Sequence, residues 1–326
     1  MFTGMGAREQ PLMWVITTAG SDIAGPCYAL RSDVVRMLDG TIPNDELFGI
    51  VYTIDPEDDW TSEEALRKAN PNYDVSVSGD FLKTQIRDAV NSARKQNIIK
   101  TKHLNIWVTA REAFINMEAY NKCADASLRI EDFEGQPCWM GIDLASKVDI
   151  AAVSLLFNRD GKWYNFVRSY LPEARVEDPE KRHYQEWAHA GQLIATDGDV
   201  IDYEQIQEDI EEDAKRFNIV ALGYDPFNAT QMALGLQAAG INAIEVRMSV
   251  QQLSEPMKEI EALILDGKWV HDGNPCTAWQ FSNVTAKIDA NDNVFPRKEQ
   301  AESKIDAFVA TVIAKRVSMI EAPKRE

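Results

Sequence analysis

Three aspartates each end or open an apolar run: Asp143 in CWMGIDLAS, Asp225 in IVALGYDPFNA and Asp306 in ESKIDAFVATVIA. A strand that stops on a carboxylate presents the acid at the edge of a sheet, where open α/β folds bind their ligands. Three carboxylates brought together there repel one another unless cations lie between them. Mg²⁺ and Mn²⁺, hard ions that prefer oxygen and often share it with a phosphate, suit such a site. Two of them would support phosphodiester hydrolysis, one activating water and the other stabilising the leaving oxygen.

Each acid also has a plainer reading. Asp143 sits between Met140, Gly141 and Ile142 on one side and Leu144 and Ala145 on the other, where a charge is costly unless paired or metal-bound; alternatively it is a solvated strand end. Asp149 is placed to support it as a further ligand, although Ser146 to Asp149 can equally form a turn whose side chains bond their own backbone. Asp225 precedes Pro226 and can cap the helix that follows, but Asn228 and Thr230 are available for that duty and would free it. Asp306 completes an [S/T]-x-x-[D/E] capping box begun by Ser303. Lys287, Arg297, Lys298 and Lys304 gather around a hairpin and Asp306, as a phosphate-contacting edge for DNA or as ordinary surface.

Composition narrows the class. At 326 residues the chain exceeds one ordinary core, so two domains are expected. A net charge of -18 excludes a protein that coats nucleic acid over its whole surface, but a local basic strip would still allow contact. Cys27, Cys123, Cys138 and Cys276 form no CxxC pair, and His183 and His189 miss the i,i+4 spacing of a metal pair, which argues against zinc or a disulfide framework. No apolar stretch is long enough for a bilayer and MFTGMGAREQ lacks signal-peptide character, so the cytoplasm is the expected compartment. No GxxxxGK[S/T] occurs, so no ATP binding or hydrolysis is expected of this sequence.

The elements that must position the acids follow from periodicity. PLMWVITTAG and ELFGIVYTID read as buried strands flanking a helix over CYALRSDVVRML. A helix from Thr61 stops at Asn70-Pro71, and FLKTQIRDAVNSARKQ reads as one amphipathic helix. The polar stretch Glu131 to Pro137 makes a boundary. Beyond it, QPCWMGIDLA, DIAAVSLLF and KWYNFVRSYL read as an antiparallel meander, followed by helices over DPEKRHYQEWAHAG and YEQIQEDIEEDAKRF. NIVALGYD is a buried strand leading into a helix closed at Gly240. INAIEVRM reads as a strand, VQQLSEPMKEIEALILDG as a helix interrupted or started by Pro256, and VTAKIDA with NVFPRK as a hairpin around Asn291-Asp292-Asn293. A last helix is expected over Glu302 to Arg316.

Along nearly its whole length the chain resembles the large subunit of tailed-phage DNA-packaging terminases. ITTAG at Ile16 to Gly20 is similar to that family's ATPase coupling motif, and DDWTSEEALRKANPN and HLNIWV to its segment between motor and nuclease. GIDLASKVDIAAV, GYDPFNA, GNPCTAWQFSNV and KIDAFVA are similar to its nuclease motifs, in the family's order. The resemblance implies an α/β, ribonuclease H-like nuclease over residues 134–326, a helical linker over 76–133 and the remnant of an ATPase domain over 1–75, without its Walker motifs. It implies an endonuclease cutting concatemeric double-stranded DNA, with Asp143, Asp225 and Asp306 as ligands of two Mg²⁺ or Mn²⁺ ions and Asn283 in support. The small terminase subunit and a portal protein are the partners it implies.

Overall fold

β1 (Pro137–Asp143) is central to a seven-stranded mixed sheet. It pairs antiparallel with β2 (Ala151–Arg159), which pairs antiparallel with β3 (Lys162–Pro172), the meander expected from sequence. Asp160 and Gly161, with φ of 52° and 78°, close the β2–β3 hairpin, the Asp-Gly pair that a two-residue turn favours. On its other side β1 runs parallel to β5 (Asn218–Tyr224), and β5 parallel to β6 (Ala243–Glu245). β4 (Ile194–Thr196) and β7 (Trp269–His271) both run parallel to β3, at opposite ends of it. The computed structural model describes residues 2–320 apart from 8, 22–24, 91–92, 109–112, 145–146, 179–180, 290 and 301.

Both faces of the sheet are covered, so its inner strands are apolar almost without interruption. Cys138, Met140 and Ile142 of β1 face a core closed by α8 (Tyr203–Arg216) and α9 (Pro226–Ala238). Trp139 faces the opposite core, under α10 (Val250–Leu265) and α12 (Asp306–Ile320). Ala307 to Ala314 of α12 are all buried, as befits a helix apolar on every side. Its Thr311 hydroxyl donates to the Ser154 hydroxyl at 3.0 Å, and Asn165 donates to that same oxygen at 2.9 Å. Lys315, also buried, lays its ammonium 3.8 Å from the centre of the Trp163 ring.

Around this core lie α6 (Glu173–Val176), α7 (Arg182–His189), α11 (Pro275–Ser282) and the hairpin of β8 (Val284–Ile288) and β9 (Val294–Lys298). Ahead of it are α1 (Pro26–Leu38), α2 (Glu63–Ala69), α3 (Gly79–Ala89), α4 (Ala93–His103) and α5 (Met117–Lys122). α2, α3 and α4 share a small core of their own, built on Leu66, Tyr73, Leu82, Ile86, Ile99 and Leu104. Among the described residues no helix is long and apolar enough to cross a membrane.

Several expectations need correction. PLMWVITTAG and ELFGIVYTID form neither helix nor ladder, and Leu12, Trp14, Ile16, Phe48 and Ile50 are exposed. An apolar run becomes a strand only beside a partner, and no described strand runs beside these two. The expected single helix over FLKTQIRDAVNSARKQ is two, α3 and α4, with residues 91–92 between them outside the described set. α10 continues through Pro256, which is itself buried, so burial of the ring offsets the loss of one backbone hydrogen bond. The last helix starts at Asp306 rather than near Glu302, which leaves Ser303 outside the cap position, so the capping box does not form.

Candidate metal centre

Because β1 and β5 are parallel, their carboxyl ends lie together, and each carries the pattern Gly-x-Asp: Gly141-Ile142-Asp143 and Gly223-Tyr224-Asp225. In β1 the two-residue period puts Gly141 and Asp143 on the same face, the face under α12, while Asp225 lies one residue past the end of β5. A Cβ on Gly141 would collide with the Ala310 carbonyl and the Ala314 amide, and one on Gly223 would come within 2.5 Å of the Ile313 side chain. The bare backbone at these two positions lets α12 lie directly on β1 and β5, with Asp306 at its first residue beside the strand-end acids.

Burial and neighbouring charge raise Asp143, Asp225 and Asp306, each for its own reasons. The Asp143 carboxyl is raised well above the ordinary range, first by burial and then by the charges of Asp306, Asp225 and Asp149. Asp306 is pushed up to about 6 by burial and by Asp149, against the pull of Lys304 and Lys298. Asp225 is raised by burial, eased by the Phe227 N–H and raised again by Glu245. Glu245, at the end of β6 opposite Tyr224, is an acid that the sequence patterns do not single out. Its register turns it to the other face of the sheet, and it pairs with Arg247 at 2.8 Å.

Asp225 is itself the N-cap of α9, accepting from the Phe227 N–H at 3.4 Å. This corrects the expectation that Asn228 or Thr230 would take that duty; the Thr230 hydroxyl donates instead to the Pro226 carbonyl, and the Asn228 side chain lies outside what is described. Asp149 accepts its own neighbour's amide, from Ile150 at 2.9 Å, and holds the Lys304 ammonium at 2.7 and 2.8 Å through its two oxygens. Ala145 and Ser146 lie outside the described residues.

The start of α12 is fixed from α11. The Ala307 N–H donates to the Gln280 side-chain oxygen at 2.8 Å, while the Gln280 amide donates to the Ser169 hydroxyl at 2.9 Å. Asn283, buried at the end of α11, donates to the Lys304 carbonyl at 2.9 Å. Asn283 therefore positions the turn that carries Lys304 and Asp306. Gln280 is not apparent from sequence, where its only signal is its place one turn before Asn283 in WQFSN.

The basic strip divides. In the β8–β9 register Lys298 stands opposite Val284, on the core-facing side of the hairpin and in range of Asp306. Lys287 and Arg297 stand opposite Phe295 and Thr285 and are exposed on the other side. Lys304 is turned inward onto Asp149, with only 12% of its side chain exposed.

The donor chemistry suits a hard divalent cation, since every acid offers oxygen and mutual repulsion gives a cation something to relieve. The placement is looser than a finished cage: among the described residues no three such side chains stand close enough to hold one ion together.

Residues 41–321 match the family described as terminase large subunit, endonuclease domain. The chain is 46% identical over 328 residues to Protein YmfN of Escherichia coli (strain K12), covering 96% of this chain and 72% of that one. It is 24% identical to the terminase large subunit of Enterobacteria phage HK97, covering 96% of this chain and 61% of the relative. The crystal structure of the HK97 large terminase superposes with a TM-score of 0.56 at 23% identity, over 97% of this chain and 65% of that one, and so shares the fold. The mixed sheet flanked by helices is thus the ribonuclease H-like arrangement of the terminase nucleases, and the chain belongs to the terminase large subunit endonuclease domain family.

Proposed function

We propose that this protein is a metal-dependent endonuclease that cuts double-stranded DNA during phage genome packaging. The observation that supports the reading is that Asp143 and Asp225 follow the ends of two neighbouring parallel strands and that Asp306 opens the helix lying on both. Asp143, Asp225 and Asp306 would hold two Mg²⁺ or Mn²⁺ ions, with Asp149 in support and Asn283 positioning Asp306. When bound, the ions supply an activated water and a stabilised leaving oxygen. The chain's own contribution is to fix the acids on rigid elements, through the glycine floor and the Gln280 bond, and to offer Lys298, Arg297 and Lys287 to the phosphates. Concatemeric phage DNA as substrate, the small subunit and portal as partners, and the host cytoplasm as location belong to the same proposal, as does the division of the chain at residues 75 and 133.

Nicking of supercoiled plasmid in Mn²⁺, abolished by chelator and by Asp143→Asn, is the expected result. Nicking that survives both in clean protein would sink the assignment. A second reading, a docking or assembly part of a packaging motor without nuclease activity, is favoured by the looseness of the acids. It predicts no nicking in Mn²⁺ by the unaltered chain.

A further inference from the structure

Lys304 lies within the carboxylate site itself. Its ammonium contacts both oxygens of Asp149, at 2.7 and 2.8 Å, in the manner of a small cation bound across a carboxylate. Its backbone is held by the buried Asn283 amide, so the side chain can leave Asp149 without moving the start of α12. Its charge also bears on Asp306, two residues on. The oxygens that a divalent ion would need from Asp149 are therefore already taken by a cation of the chain.

We infer that Lys304 is the resident counter-ion of Asp149 and competes with a divalent cation for it, so that loading this side of the site requires the ammonium to swing away. The inference rests on the metal-nuclease reading above. It assigns Lys304 a duty toward the metal in place of its expected one toward DNA. Two cations cannot share the two oxygens of Asp149 at such distances without strong repulsion, which is why exchange rather than co-occupancy follows.

The test is calorimetric titration of Mn²⁺ into the full chain, together with melting temperature against Mn²⁺ concentration, for the unaltered protein, Lys304→Met, Lys304→Arg and Asp143→Asn. Lys304→Met should bind Mn²⁺ with a several-fold lower Kd and reach its half-maximal thermal shift at lower Mn²⁺. It should also melt lower than the unaltered chain in chelator, because Asp149 has lost its counter-ion. Lys304→Arg, which keeps the charge, should behave as the unaltered chain does. Equal or weaker Mn²⁺ binding by Lys304→Met, while Asp143→Asn abolishes binding, would overturn the inference and leave the nuclease reading standing. No Mn²⁺ binding by the unaltered chain or by any variant would overturn both. Should Lys304→Met fail to fold, Lys304→Gln, which keeps a polar end without the charge, serves the same comparison.

Discussion

Gly141 and Gly223 face each other across the β1–β5 register, and the same helix covers both. Neither glycine is needed for an unusual backbone angle; what each provides is the absence of a side chain. Gly141→Ala should force α12 away from the sheet, because the atoms its Cβ would meet belong to the helix backbone, which cannot rotate aside. We expect a loss of about 1–3 kcal/mol or more in urea unfolding, with Mn²⁺ binding weakened further because Asp306 moves with the helix. Gly235→Ala is the control, since its Cβ would meet only the end of the flexible Gln207 side chain, at 3.1 Å. Equal effects of the two changes would mean that α12 is not seated on Gly141.

Asp143→Asn should raise the melting temperature in chelator at neutral pH. Burial and neighbouring acids raise the folded carboxyl of Asp143, so its contribution to stability is fully present below the ordinary carboxylate pKa, about 4. That contribution is lost as pH rises through the folded value. Asp306, pushed up to about 6, adds a loss of the same sign between about 4 and about 6. The variant's advantage over the unaltered chain should therefore vanish near pH 4 and grow toward pH 7 in parallel melts. A variant advantage independent of pH would show that the carboxyl is not under strain from charge.

Gln280→Ala leaves the Ala307 N–H buried without its acceptor. The expected cost is about 1–3 kcal/mol, read from the urea midpoint at constant m-value. Hydrogen exchange at the first turn of α12 should quicken more than at its centre. Unchanged exchange there would mean that the helix start is held by packing alone.

Replacing Lys287, Arg297 and Lys298 with Ala should weaken DNA binding alike on all sequences. The slope of log K against log salt should fall by about 1 for each phosphate that the altered strip no longer neutralises. The strip would be ordinary surface if the slope stayed as it was.

Much of the nuclease half is legible in the sequence because its signals are local. The meander, the Asp-Gly turn, the strand-to-helix step at Asp225 and the hairpin at Asn291 to Asn293 depend on neighbours along the chain. The Gly-x-Asp pattern repeated in β1 and β5 is equally visible there, but its meaning needs the helix that lies above it. What fails is long-range. Nothing near Lys304 announces that its partner is Asp149, and nothing near Gln280 announces Ala307 or Ser169. The apolar runs around Trp14 and Phe48 predict strands that the described chain does not pair, because an apolar run calls for burial and says nothing of a neighbour.

The bare floor beneath α12 also bears on the order of folding. Asp143 and Asp306 stand far apart along the chain, so closing the loop between them is slow relative to forming the β1–β2–β3 meander. Until the helix docks, the strand ends carry Asp143, Asp149 and Asp225 without Asp306, and an incompletely folded chain holds a fragment of the centre. Reversal follows the same line: any opening that lifts α12 carries Asp306 away from the strand ends, which makes the proposed centre an all-or-none property of the docked helix rather than a graded one.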